Sequence, residues 1–314
     1  MIQVQNVQQQ PSQDVREQLY SQLEDYMGLS STKKKMDSSE KSGGTTLKRK
    51  SSEQSSSSSS SKALSKNTLA IKVNGKTIKG SAQNIVGRVV EAEMGASFRE
   101  EALKAQVVAA YTYIRYNNQK GTIPSLPAKS SVSAKVEDAV EQVIGEALYY
   151  QGEYINATYC ASNAGNSVDS ENVWGGYLPY LRSVESPGDT TLKAYGAVKR
   201  FSEEEIAQYI EENLDVDPYD YSDPDEWFED EEYINGRYVD SIRVCGRRLS
   251  GREVREELME FALPSAAFEV EYDDGEFIFT TYGYGHGVGM SQQGADYFAQ
   301  RGWDYEEILT HYYT

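Results

Sequence analysis

The chain has 314 residues and a formal net charge of −18, with 49 Asp and Glu against 31 Lys and Arg. That length allows one large domain or two ordinary ones. The acidic balance excludes a duplex nucleic-acid binder, which sets cations against phosphate, and no apolar run approaches the roughly 20 residues that span a bilayer.

The charge is unevenly spread. Residues 1–66 hold ten Lys and Arg and seven Asp and Glu, so the remainder carries −21. Gln13 to Met27 can form a short amphipathic helix on Val15, Leu19, Leu23 and Tyr26. Ser30 to Lys66 is rich in Ser, Lys, Gly and Thr, with an unbroken serine run from Ser55 to Ser61. Such a stretch buries too little apolar surface to offset its ordering entropy, so residues 1–66 read as a disordered tail.

The folded part is expected over residues 67–314. Leu69, Ile71 and Val73 alternate as in a strand, and Asn74-Gly75 is a hairpin turn signal. A helix is predicted from Gln83 to Met94, stopped by Gly95. Ser97 and Glu100 have the spacing of a capping box for a second helix, Phe98 to Asn117. Its apolar stripe is Leu103, Val107, Ala110, Tyr111 and Ile114. A helix from Val136 to Glu146 leads to strands at Ala147–Tyr150 and Tyr154–Tyr159. Ser202 and Glu205 cap a helix reaching Asn213. Residues 215–232, acidic and holding two prolines, read as an exposed excursion. Strands follow at Val239–Val244, Phe268–Tyr272 and Phe277–Thr281, with a helix at Arg252–Leu258. Ser291 opens a helix to Gln300, and Asp304 opens the last one. This irregular interleaving implies an α+β fold of mixed sheets with packed helices.

Glu93 stands out among the polar residues. Val86, Val90 and Glu93 lie at i, i+4 and i+7, so Glu93 continues the apolar face of its helix while Glu91 turns away. Partial burial and the negative end of the helix dipole both raise a carboxyl pKa, as a general acid near neutral pH requires. Periodicity leaves open a Glu that folds outward and pairs with Arg99 or Lys104.

The stretch TYGYGHGVGMSQQG, from Thr281 to Gly294, places Gly283, Gly285, Gly287 and Gly289 at alternate positions. In an extended segment these glycines leave one face bare, so another chain can approach the backbone closely. Met290 stands where a dinucleotide fingerprint needs its last glycine. Ser291 and Gln292, at a helix start, can donate to a ligand oxygen. A tight packing turn with a structural histidine at His286 fits the pattern equally well.

Four blocks occur in order: VVEAEMGASFREEALKAQVVAAYTYI, VWGGYLPYLRSVESPGD, LSGREVREEL and GYGHGVGMSQQGADYFAQRGWDYEEILTHYY. Together they resemble the stage II sporulation protein D family, which includes the LytB amidase enhancers, over roughly Leu69 to Thr314. The resemblance implies a lytic transglycosylase acting on peptidoglycan glycan strands, preferably ones stripped of stem peptides. It implies Glu93 as the catalytic acid, since the family's E-M-P block falls on Glu93-Met94 with Gly95 in place of proline. It further implies Tyr284, Gly285, His286, Gly287, Ser291 and Gln292 along the glycan groove, with Tyr111, Tyr113 and Trp174 offering rings for sugars.

Cys160, Ala161 and Ala164 stand where relatives often carry H-S and G-G-x-T. No local spacing among Cys160, Cys245, His286 and His311 supports a zinc site, so neither metal nor cofactor is expected. The substrate implies action at the cell envelope or outside the cell, with a cell-wall amidase as a possible partner. Two rival readings are a non-catalytic glycan-binding activator of such an amidase and a cysteine hydrolase built on Cys160 and His286.

Overall fold

The computed structural model describes Thr46–Lys48 and residues 68–314. The expected N-terminal helix and most of the expected tail lie outside the described residues. Within that tail, Thr46–Lys48 forms a strand pairing antiparallel with Ala147–Tyr150, with Leu47 opposite Leu148.

The fold is α+β, with helices around several small sheets. Strand Thr68–Val73 turns at Asn74-Gly75 and returns as Lys76–Ser81. Both turn residues have positive φ, which is why Asn-Gly suits the position. Ser81 then caps helix α1, Ala82–Glu93, its side chain accepting from the Asn84 N–H.

Helix α2, Glu100–Gln119, is the central strut, with eleven of its 20 residues buried. It packs against α1 and against α3, Ala134–Val143. Ala102, Ala105 and Ala109 let neighbours approach the faces outside the Leu103–Val107–Ile114 stripe. Leu69, Ile85, Val89, Leu103, Val107 and Val140 belong to this first core and are at most 1% exposed. Each fully buried aliphatic side chain contributes roughly 1.5–3 kcal/mol.

The expected Ser97 cap is not made. Helix α2 begins at Glu100, with Arg99 as an N-cap that makes no side-chain cap bond. Arg99 is instead held by Asp296, which accepts from its backbone N–H at 2.7 Å and pairs with its guanidinium. A contact across 197 positions thus overrides the local signal. The expected strand at Tyr154–Tyr159 is two short pieces, Glu153–Tyr154 and Tyr159–Cys160.

A second core fills residues between 197 and 281. Strand Ala197–Ser202 leads into α4, Glu203–Leu214, through a complete Ser202/Glu205 capping box. One sheet orders Phe268–Asp273, Glu276–Thr281 and Ala197–Ser202; another holds Phe228–Ile234, Tyr238–Val244 and Arg247–Leu249. The chain enters and leaves this lobe side by side. Ala197 is in register with Thr281, and the Gly196 N–H donates to the Thr281 carbonyl at 2.9 Å.

The acidic segment is exposed over most of its length, as its charge implies, but it is pinned to the second core by one aromatic. Two short turns, each opened by a proline, lead to Trp227, which is 0% exposed. Its ring stacks on Phe277 at 5.4 Å and its indole N–H donates to the Ser222 carbonyl. The acidic residues mostly face outward around this anchor, so mean composition concealed one decisive aromatic.

The chain returns to the first core through the glycine-rich stretch, then α5, Gln292–Gln300, and α6, Tyr305–Tyr312. Among the described residues no helix is long and apolar enough to cross a membrane.

Candidate functional site

Glu93 is the last residue of α1 and half-buried. The helix stops because Gly95 turns left-handed at φ 69°, while the N–H groups of Met94 and Gly95 both return to the Val90 carbonyl. The outward pairings that periodicity left open find other partners: Arg99 is taken by Asp296, and Lys104 by Glu100 and Glu101. Gln292, the first residue of α5 and only 3% exposed, donates its side-chain N–H to Glu93 Oε2 at 3.3 Å. Residues 199 positions apart therefore meet at two helix ends.

The glycine-rich stretch is not extended. Gly283, Gly285, Gly287 and Gly289 all have positive φ, between 75° and 114°. Their bare faces are covered by the protein itself. A Cβ on Gly283 would lie 2.7 Å from the Asn163 backbone, and one on Gly285 would lie 2.8 Å from the Cys160 Cβ. On Gly287 it would overlap the Tyr238 ring, and on Gly289 the Thr158 carbonyl. The expectation that these glycines leave a face free for a ligand is thus overturned. Left-handed turns at alternate positions coil the segment onto Thr158–Asn163, leaving Tyr284 and His286 partly exposed while Val288 turns into the first core.

Backbone bonds fasten this coil on both sides. Ser162 and Tyr284 exchange N–H···O bonds at 3.2 and 2.9 Å. The Gly287 carbonyl accepts from Val168, and the Gly285 N–H donates to Pro264. The coil presents Tyr284 and His286 partly exposed. Burial pushes the Tyr284 hydroxyl up to about 12, partly opposed by the charge of Arg255. The His286 Nδ1 accepts from the Val288 N–H at 3.1 Å, which puts the proton of a neutral ring on Nε2. The Trp174 ring, at the end of a single helical turn, lies 5.2 Å from the imidazole.

Beneath the coil lies a polar hub that motif spacing did not single out. Asp189 is fully buried, accepting from the Ser291 hydroxyl at 2.8 Å, the Asn163 N–H at 2.9 Å and the Ser186 hydroxyl at 2.7 Å. Burial pushes its carboxyl up to about 7, against the pull of the three donors. The Tyr312 hydroxyl lies 2.6 Å from Ser186 and extends the network. Asn163 also accepts from the Cys160 thiol at 3.0 Å. The available signal was the turn Pro187-Gly188 before Asp189. A Cβ at Gly188 would overlap Tyr297, so the turn is pinned against α5.

The structure thus brings together Glu93 with Gln292, and His286 with Trp174. It does not present Ser291 or Tyr111 to solvent. Ser291 is 0% exposed and serves as N-cap of α5, accepting from Gly294 while donating to Asp189. Tyr111 is 7% exposed in the first core, its hydroxyl accepting from Arg115 at 3.0 Å. Tyr113 meets Tyr159 edge-on at 6.3 Å.

Cys160 and Cys245 are separate buried thiols. Burial pushes Cys160 up to about 12, so a nucleophilic thiolate is disfavoured near neutrality. Among the described residues no group of three or more His, Cys, Asp or Glu side chains is arranged to hold a metal ion.

The sequence of this α+β chain matches a known family. The stage II sporulation protein (SpoIID) family model matches residues 77–152. Stage II sporulation protein D of Bacillus amyloliquefaciens is 32% identical over 269 residues, covering 76% of this chain and 75% of that protein. The protein of the same name from Bacillus subtilis (strain 168) is 32% identical over 273 residues, covering 76% of each. An amidase enhancer of Bacillus subtilis (strain 168) is 27% identical over 290 residues, covering 72% of this chain and 39% of that protein. The chain belongs to the stage II sporulation protein D family.

Proposed function

We propose that the protein is a lytic transglycosylase of peptidoglycan, cleaving the bond between N-acetylmuramic acid and N-acetylglucosamine in glycan strands stripped of stem peptides. The observation that carries this reading is the contact of Glu93 with Gln292, which joins a half-buried carboxyl to the first residue of the helix that follows the glycine coil. Family membership supports a cell-wall role in sporulation, with the cell envelope as the place of action.

In this mechanism the Glu93 carboxyl gives its proton to the glycosidic oxygen. The bond from that oxygen to the anomeric carbon breaks, and its electron pair stays on oxygen. Positive charge develops on the muramic acid ring. The Glu93 carboxylate, steadied by the Gln292 N–H, then takes the proton of the C6 hydroxyl as that oxygen attacks the anomeric carbon. The product carries a 1,6-anhydro ring and Glu93 is again protonated. Water takes no part, so one carboxyl group performs both roles, unlike the paired carboxylates of ordinary glycosidases. Trp174 and His286 form a platform for a sugar face, beside Tyr284. Gly285 and Gly287 shape the groove indirectly, by letting the coil seat low enough to hold His286 at its rim.

Incubation with denuded peptidoglycan tests this. Mass spectrometry is expected to find anhydro-ended glycans with the native protein and none with Glu93→Gln. Reducing ends formed by water addition would indicate a hydrolase and overturn the mechanism.

A second reading, a non-catalytic glycan-binding activator of a cell-wall amidase, is favoured by the likeness to an amidase enhancer. It predicts that Glu93→Gln leaves stimulation of an amidase unchanged and that no anhydro ends form with either protein.

A further inference from the structure

The second lobe carries a charge close to that of the whole chain. Residues 197–281 hold 25 Asp and Glu against eight Lys and Arg, a balance of −17. Four of its arginines each have a carboxylate of their own: Arg200 pairs with Glu276, Arg237 with Glu269, Arg243 with Asp230 and Arg248 with Glu232. Arg252 and Arg255 differ, because they share Glu256. Its Oε2 accepts from Arg252 Nε at 3.0 Å, and its Oε1 lies 3.4 Å from Arg255 Nη1. Two cations thus face one carboxylate.

This pair sits where the lobe meets the Trp174–His286 platform. Arg252 Nη1 donates to the Val173 carbonyl at 3.1 Å, one residue before Trp174. Arg255 is buried, its Nε donates to the Leu263 carbonyl, and its charge acts on the Tyr284 hydroxyl. The acids of the platform loop are already taken, since Arg182 pairs with both Asp169 and Glu171. Arg252 has more N–H groups than its two bonds use. Its side chain is 35% exposed, so an anion from solvent can reach it.

The strand of the proposed reaction supplies such an anion. Removal of a stem peptide hydrolyses the amide on the lactyl group of muramic acid and leaves a carboxylate there. A denuded strand is therefore negatively charged at every muramic acid, where a peptide-bearing strand has a neutral amide. A lobe at −17 repels that charge, so a local cation is needed to receive it. The planar fork of a guanidinium matches a carboxylate.

We propose that Arg252, backed by Arg255, accepts the lactyl carboxylate of a muramic acid seated at the Trp174–His286 platform, and so selects strands stripped of stem peptides. This rests on the proposed function for the identity of the strand. Arg252 binds substrate and takes no part in proton transfer by Glu93.

The test compares two strands that differ in this charge. Soluble denuded glycan strands are divided, and one portion has its carboxylates converted to methylamides with methylamine and a carbodiimide. The full chain carrying Glu93→Gln is titrated calorimetrically with each, so that binding is read without turnover. Arg252→Gln and, separately, Arg252→Lys are added to that background. The parent is expected to bind the carboxylate strand about tenfold tighter than the amide strand, as a hydrogen bond to a charged group implies. Arg252→Gln should bring the ratio to within about twofold without weakening the amide strand. Arg252→Lys should keep part of the ratio, because the charge stays and the fork is lost. A displaced Trp174 weakens both strands alike and leaves the ratio unchanged. Equal weakening of both strands by Arg252→Gln therefore overturns the proposal and makes Arg252 a brace for Trp174. A parent ratio near one, or a parent that binds neither strand, also overturns it. Absence of anhydro products from the native protein, with the ratio present and lost in Arg252→Gln, would instead refute the lytic mechanism and leave carboxylate recognition standing.

Discussion

The side-chain N–H of Gln292 donates to Glu93 Oε2 at 3.3 Å, joining the first turn of α5 to the last turn of α1. Both helices are fixed at further points: α1 through Val86 and Val90 in the core, α5 through Asp296 to Arg99. The carboxyl is therefore carried where two anchored helices meet.

Gln292→Leu removes that donor while keeping similar bulk. Loss of a hydrogen bond to an ionisable group costs about 1.5–3 kcal/mol, so the rate of anhydro-product formation is expected to fall roughly tenfold to a hundredfold. KM for denuded strands should change little. Product appearance followed by mass spectrometry at several strand concentrations separates the two constants; a large rise in KM with kcat unchanged would assign Gln292 to binding alone.

Asp189 gives stability a distinct pH profile. Its carboxyl is pushed from 3.8 to about 7 by burial, so the folded protein holds a proton that the unfolded chain releases. The associated stability is fully present below pH 3.8, declines as pH rises toward 7, and is lost above it. The whole effect is on the order of 4 kcal/mol at most. Thermal melts of the native protein and of Asp189→Asn across this window should show the native protein losing ground steadily, then a constant difference. A flat difference from the start would mean an ordinary carboxylate.

Gly287→Ala puts a Cβ onto the Tyr238 ring at a φ of 77°. Strain at such a position costs of order 1–3 kcal/mol before the overlap is counted. The variant is expected to melt several degrees lower. Gly236→Ala, with nothing within 4 Å of the added atom, isolates the φ penalty. Equal losses from the two would show that Tyr238 yields freely.

Cys160→Ala tests the thiol directly. A buried group pushed up to about 12 should resist alkylation at neutral pH in the folded protein. The alanine variant should retain glycan cleavage within a few-fold. Rapid alkylation accompanied by loss of activity would revive a cysteine-based mechanism.

Trp227→Ala opens the second core, where the ring stacks on Phe277. The expected cost is about 3–5 kcal/mol. A denaturation curve with no loss of stability would show that the acidic segment folds independently of its anchor.

Much of this was legible from residues alone. The Asn74-Gly75 hairpin, the Ser202/Glu205 box and the Gly95 stop are local devices, and each appears where its residues stand. Helical periodicity likewise placed Glu93 on the inner side of α1. What escaped were contacts made across the chain. Ser97 was a plausible cap until Asp296 claimed Arg99, and alternating glycines implied an open face because nothing local shows Tyr238, Cys160 and Thr158 closing it. Asp189 was hidden for a related reason: a single buried acid has no periodicity to announce it.

The second lobe departs and returns at one bonded pair, Gly196 and Thr281. It is topologically a parenthesis. Whatever length of chain is written between those two residues, the flanking segments keep the same separation, so insertions or deletions far inside the lobe leave the spacing of Glu93 and Gln292 untouched. Changes near Tyr238 and Pro264, where the parenthesis leans on the glycine coil, or at Arg252, which bonds the Val173 carbonyl beside Trp174, do transmit to the contents outside.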